Sequence, residues 1–375
     1  MRSVAITGVG VVTPLGSTPA EVLRRLEAGE TAARRPTGFD PAPFSCALCA
    51  EIPDFQPEQH VPEPKAVRLM NRDTQLAVAA ARLAMRDAGV TVGATYAGED
   101  IALYGATGMA GLPLAEVAPL VKHAAPDGCF DPRQFGAVAL KRVRPVLSFK
   151  ILSNMPISFV SIFEGLQGPN AVYNPWEGQG AHAIIAGMRA VLRGRAACAL
   201  VGGCDVKTHE LAFVALQQHG VFTPWRETGS GVVPGEGAAF LVLEDEERAR
   251  ARGAAMYARM TGWRTATMPL GDSPAATYGD LLAPLASPVP AVVVSAAEGN
   301  GRARDAESQA IAACGVAAAP RLAPKRHIGN LFAAAAATQV ALGAILTKRS
   351  PAGTRVLANT FGFGSEQAAF LLEAV

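Results

Sequence analysis

The stretch GPNAVYNPWEGQGAHAIIAGMRAVLRGR, residues 168–195, constrains the fold more than any other part of the chain. From Ala181 onward, apolar residues recur at Ala181, Ile184, Ile185, Met188, Val191 and Leu192. That is the i, i+3, i+4, i+7 spacing of a helix with one buried stripe. Arg189, Arg193 and Arg195 fall in its later turns, where cations complement the negative end of the helix dipole. Pro175-Trp176-Glu177-Gly178-Gln179-Gly180 leads into it as a tight, glycine-rich turn. A buried helix that begins at such a turn offers unpaired N–H groups to whatever sits there. The residue at that spot is Glu177. A carboxylate suits the positive end of a helix but is a weak nucleophile.

A helix of this kind needs a large core around it. Half of the 375 residues are hydrophobic and only 18% are charged, which fits an extensive interior and a buried interface with another subunit. The net charge of +2 gives no reason to expect nucleic acid or an anionic membrane as partner. Six cysteines do not make a disulfide framework. Cys46 and Cys49 form a CxxC, but no second pair follows at metal spacing, so both read as small apolar residues and no metal is expected. Cys198 and Cys204 belong to a strand-like run and read as buried and inert. The apolar run Leu331–Leu346 is short and interrupted by Thr338 and Gln339, so it reads as a core helix rather than a membrane span. The N-terminus lacks the pattern of a signal peptide, and the chain reads as soluble and cytoplasmic.

Taken in order, Ser3–Val12 is a buried strand, and its Gly8-x-Gly10 pair lacks the rest of a dinucleotide fingerprint. Thr18, Pro19 and Glu21 open a helix as cap, first-turn proline and capping-box acid. Glu30–Lys65 carries repeated prolines and reads as an irregular surface excursion. Arg68–Gly89 is an amphipathic helix closed by its glycine. Ile101–Ala106, Ala196–Val206, Ala239–Leu243 and Ala291–Ala296 are further buried strands. Lys141, Arg142 and Arg144 form a basic patch, either a solvated face or a docking site for an acidic partner. The alternation of strands and helices starts again near Gly235, which predicts a duplicated α/β chain with halves 1–235 and 236–375.

Gly168-Pro169-Asn170 and Gly180 carry a family resemblance. The chain resembles a β-ketoacyl synthase of the thiolase superfamily, in which Gly-Pro-Asn is followed by a short strand, a nucleophilic cysteine and a buried helix. The resemblance implies a five-layer α-β-α-β-α sandwich. It places the family's cysteine on Glu177. Aligning the family's first histidine loop on Asp305 puts Ala297 at the histidine, and in Lys-x-x-x-Gly-His the lysine is Lys325 while Asn330 stands at the histidine. The family's gate loop is retained as Phe361-Gly362-Phe363-Gly364, with Ser365 and Glu366 after it. His327 reads as a loop histidine without a special role. By the same resemblance, Met109, Leu112, Leu114 and Trp176 are candidates for lining an acyl tunnel.

Condensation in this family needs a thiolate and both imidazoles. Glu177, Ala297 and Asn330 replace all three, so no catalytic residue is expected. The resemblance therefore implies a non-catalytic chain-length factor of a type II polyketide synthase, of the kind that makes reduced polyenes. Such a subunit works as a heterodimer with an active ketosynthase α-subunit, on acyl carrier protein, without cofactor. Two alternatives stand beside it: a malonyl-carrier decarboxylase that supplies starter units, and a free-standing binding protein for acyl thioesters.

Overall fold

In the computed structural model, which describes residues 3–109, 111–112, 114–125, 127–142, 145–268, 274–296, 301–362 and 366–375, two sets of five strands share one plan. The first set opens on β1 (Val4–Val12), buried along its whole length as an unbroken apolar run requires. α1 (Pro19–Glu27) follows, and the Thr18 hydroxyl accepts the Glu21 N–H at 3.4 Å as its cap. α2 (Arg72–Asp87) starts at an Asn71 cap, and the residues before it, read from sequence as its first turn, form a separate 3-10 helix over Pro64–Leu69. Next come β2 (Ile101–Thr107), α3 (Leu114–Ala124), α4 (Met155–Glu164), β3 (Asn170–Tyr173), α5 (Glu177–Leu192), β4 (Cys198–Val206), α6 (Glu210–Gln218) and β5 (Glu236–Asp245). The second set comprises β6 (Ala258–Thr267), α7 (Pro274–Leu282), β7 (Val292–Val294), α8 (Gly301–Ala313), β8 (Arg321–Leu322), α9 (Ala335–Lys348), β9 (Arg355–Asn359) and β10 (Glu366–Glu373).

Among the described residues these strands form one ladder, in the order β8-β7-β9-β10-β6-β1-β5-β4-β2-β3. Within each set the order is third, second, fourth, fifth, first. The directions repeat as well. The second strand runs parallel to the third and the fourth, and the fifth is antiparallel to the fourth and the first. The same order with the same directions is the mark of a duplicated unit. The two sets meet where β1 pairs with β6 through Val4–Met260, Ala5–Arg259 and Ile6–Ala258.

The layers follow from strand periodicity. On β4 and β5, Val201 and Leu241 point into a central core while their neighbours Leu200 and Phe240 point to the outer face. On β9 and β10, Val356 and Phe370 face the same central core and Leu357 and Leu371 face away. α5 and α9 fill the central layer with Ile184, Met188, Val340 and Ile345. α2 and α4 cover the outer face of the first set, and α7 and α8 that of the second. The result is the expected thiolase-like α-β-α-β-α sandwich.

Two sequence expectations need correction, and the reading of 331–346 as a core helix holds. The strand order repeats after Asp245 rather than after residue 235, because β5 is hydrogen-bonded to both β1 and β4 and closes the first set. α5 begins at Glu177, not Ala181. Gly178 and Gly180 serve close packing inside the helix rather than a turn before it. A Cβ at 178 would fall 2.8 Å from Glu366, and one at 180 would fall 2.7 Å from the Ala333 carbonyl. The run 331–346 is the buried α9 with a short 3-10 turn before it, and no helix among the described residues is long and apolar enough to cross a membrane.

Candidate functional site

Glu177 is the first residue of α5 and is buried, with 1% of its surface exposed. Trp176 before it is extended and gives no side-chain cap, so the positive end of the central helix is left to the carboxylate. Two residues from the second set converge on Oε1. The Lys325 ammonium donates at 2.5 Å and the Asn330 amide at 2.8 Å. Lys325 also donates to the Phe361 carbonyl at 3.0 Å. Gly362 closes the remaining side, since a Cβ there would lie 1.9 Å from Oε2. Glu177, Lys325, Asn330 and Phe361 are all buried. A buried carboxylate and ammonium persist only when paired and hydrogen-bonded, and here each is the other's partner.

The loop that carries Asn330 is braced from behind. Asn330 Oδ1 accepts the Phe332 N–H at 2.8 Å, and Phe332 sits at φ 44°. A bulky residue in that left-handed region costs about 1–3 kcal/mol and persists only when its surroundings hold it. Asp205 supplies part of that hold by accepting the Ala333 N–H at 3.2 Å. Its other oxygen pairs with Lys207, whose ammonium lies 5.7 Å above the Phe332 ring. Burial raises the Asp205 pKa, and burial lifts Asp73, close by, to about 7.

A model of the β-ketoacyl synthase N-terminal domain matches residues 1–249. The chain belongs to the β-ketoacyl synthase family. A 3-oxoacyl-[acyl-carrier-protein] synthase 2 from Staphylococcus aureus (strain COL) is 29% identical over 274 residues, 70% of this chain and 63% of that relative. The chain therefore spans less than two thirds of the length of the curated relatives it matches. A solved ishigamide ketosynthase/chain length factor matches with a TM-score of 0.78 and 25% identity, over 100% of this chain and 99% of the other. A β-ketoacyl synthase from Burkholderia phymatum STM815 matches with a TM-score of 0.81 and 24% identity, over 100% of both chains.

In this synthase-family chain four buried thiols are the reverse of activated. Burial lifts Cys46 to about 11 and pushes Cys49, Cys198 and Cys204 up as well, whereas a nucleophilic cysteine has its pKa lowered. His327 binds the Glu30 carbonyl through Nδ1 at 2.8 Å, a contact that ties down the proline-rich excursion. Asp305, read as a retained motif residue, is exposed on α8 and pairs with Arg304 at 3.1 Å. The buried acid of that helix is Glu307. It accepts from Ser295 Oγ at 2.6 Å, the Ala296 N–H at 3.1 Å and Asn359 Nδ2 at 2.6 Å, and so ties the ends of β7 and β9 together. The sequence did hold a signal, because Glu307 shares the i, i+3, i+4 face of Ala310 and Ile311, both buried. Ala297, Phe363 and Gly364 lie outside the described residues.

The four tunnel candidates do not come together. Met109 and Trp176, the residue before Glu177, line one cavity of about 190 Å³. Leu114 is 41% exposed and borders a separate cleft, and Leu112 is packed to 8% exposure. Lys207, His209 and His219 also line the cavity of Met109 and Trp176, and sequence reasoning passed over all three. The basic residue Arg142 borders a surface cleft of about 910 Å³ with Arg68 and Lys150, over a floor that includes Leu69, Val146 and Leu147.

Proposed function

We propose that this chain is the non-catalytic chain-length factor of a type II polyketide synthase, paired with an active ketosynthase and working on acyl carrier protein. The observation that carries the reading is the state of Glu177. At the start of the central helix, where the family resemblance expects a cysteine thiolate, a carboxylate is clamped by Lys325 and Asn330 and closed over by Gly362. A carboxylate held by an ammonium has little nucleophilicity left. Its acylation by a thioester would give an anhydride, which lies uphill. Asn330 stands in for one of the two imidazoles and Ala297 for the other.

The space beside the blocked position supports a role in shaping an acyl chain. The cavity next to Trp176 is bounded by Met109, Leu211, Ala212, Ala215 and Leu216, so its walls are mostly apolar. A wall that clashes with one further two-carbon unit disfavours that extension, and about 1.4 kcal/mol suffices for a tenfold partition. The cleft with Arg68 and Arg142 on its rim supports docking of an acidic carrier, while its Lys150 is paired with Glu116 at 2.9 Å. The relative's own name includes an acyl carrier protein, and the ishigamide structure is a ketosynthase/chain length factor. A reduced, polyene-type product is part of this proposal, as is an obligate heterodimer.

Co-expression with a cysteine-bearing ketosynthase tests the reading. The expected result is a one-to-one complex that makes products of defined length only when both chains and the carrier are present. A ketosynthase that neither binds this chain nor changes its product lengths contradicts it.

A further inference from the structure

Beside the closed Glu177 cluster the protein keeps space that it does not fill. On one wall of the 190 Å³ cavity, Ala212 and Ala215 lie one turn apart on α6 and leave the volume open. Past the start of α6 lies a second space, a surface cleft of about 680 Å³ bordered by the charged residues Arg34, Glu51, Arg72 and Glu236. His209 is the one described residue that borders both.

The imidazole is fixed in place. Nδ1 accepts the Ala212 N–H at 3.3 Å and caps α6, and a hydrogen bond with the Val206 backbone holds the ring again. Gly111 packs against the ring edge, where a Cβ would lie 3.4 Å from Nε2. Burial, helped by the Lys207 charge, brings the His209 pKa down to about 4, so the ring is neutral near pH 7. A neutral ring can separate an apolar cavity from a charged cleft without burying an unpaired charge.

We propose that His209 is the end stop of the cavity beside Glu177, the residue that limits how long an acyl chain this subunit admits. The proposal rests on the reading of that cavity as the acyl-shaping space, and it takes that reading down to one side chain. Without the ring, the cavity and the 680 Å³ cleft become continuous, and a chain that now ends at residue 209 runs on into the cleft.

The experiment measures binding of a homologous series of saturated fatty acids to the purified full-length chain. In the native protein affinity rises about fourfold per methylene while each added group is buried, and it stops rising at one length. His209→Ser keeps a hydroxyl to cap α6 but removes the ring. The plateau then moves to longer acids, with roughly fifteenfold tighter binding of acids two carbons beyond the native limit. His209→Phe loses the cap but keeps a ring, and its plateau stays at the native length. A plateau unmoved in His209→Ser, an equal shift in both variants, or no length dependence in the native chain overturns the proposal. Reconstitution with a cysteine-bearing ketosynthase and carrier then separates the two readings. Longer products from His209→Ser support both. A shifted plateau with unchanged products leaves the wall standing and sinks the chain-length role.

Discussion

Glu177 and the cavity beside it differ in one respect that decides what the chain is suited to do. Among the described residues, Glu177 is met by the protein's own groups: an ammonium, an amide and the backbone at Gly362. One residue earlier in the sequence, Trp176 borders open, mostly apolar space. The Glu177 carboxylate is enclosed by protein groups, while the space next to Trp176 is open. The proposed chain-length role rests on this contrast.

The strongest way to break this contrast is to open the closed side. Lys325→Met strands the Glu177 carboxylate in the interior, and unfolding free energy should fall by about 3–5 kcal/mol. The double variant Glu177→Gln/Lys325→Met removes both charges and should recover most of that loss in denaturant melts. If the single variant is as stable as the native chain, the ion pair is not what closes the site.

Two groups near Lys207 also titrate in opposite senses. His209, on the cavity side, is held near 4, below its ordinary 6.5. The unfolded chain therefore takes up its proton first. Stability from this group is complete above about pH 6.5 and is lost as pH falls toward 4. Asp73, buried next to Asp205 and Lys207, is raised to about 7 from an ordinary 3.8. Its contribution is complete below about pH 4 and is lost as pH rises through 7. Each effect is on the order of 3 kcal/mol. Relative to the native chain, His209→Phe should gain stability as pH is lowered from 6.5 to 4, and Asp73→Asn should gain as pH is raised from 4 to 7. Matching pH profiles for all three proteins would remove the distinction.

Smaller effects sharpen the comparison. Gly362→Ala forces a methyl against the Glu177 carboxylate and should cost about 1–3 kcal/mol in thermal or chemical unfolding. Ala215→Leu instead grows into open space. It should change stability by less than about 1.5 kcal/mol while weakening long-chain fatty acids about tenfold and short ones hardly at all. Equal weakening across the series would mean that the alanine wall does not bound the chain.

Much of the scaffold could be read from the chain, because its signals are local. The Thr18 cap, the unbroken apolar strands and the buried stripe of α5 all follow from neighbours in sequence. What failed depended on distant partners. Gly178 and Gly180 looked like a turn, since glycine weakens a helix interior, yet Glu366 and the Ala333 carbonyl approach so closely that only glycine fits. Asp305 and Glu307 lie two residues apart on α8, and only the packing of β7 and β9 reveals that the second is the buried one. β5 resembles the opening strand of a second half until its pairing with β1 and β4 is known. The candidate site was legible at Glu177, Lys325 and Asn330, but their meeting is a contact across 148 and 153 residues of sequence. His209 carried no local signal, because its position between two spaces exists only in three dimensions.

The most direct test is intact-protein mass spectrometry of this chain after incubation with acyl- and malonyl-loaded carrier protein, alone and with a cysteine-bearing ketosynthase. The account predicts that the acyl mass appears only on the ketosynthase, and that Glu177→Cys on its own does not bring condensation to this chain. An acyl adduct on the native chain by itself, followed by its extension, would contradict the account.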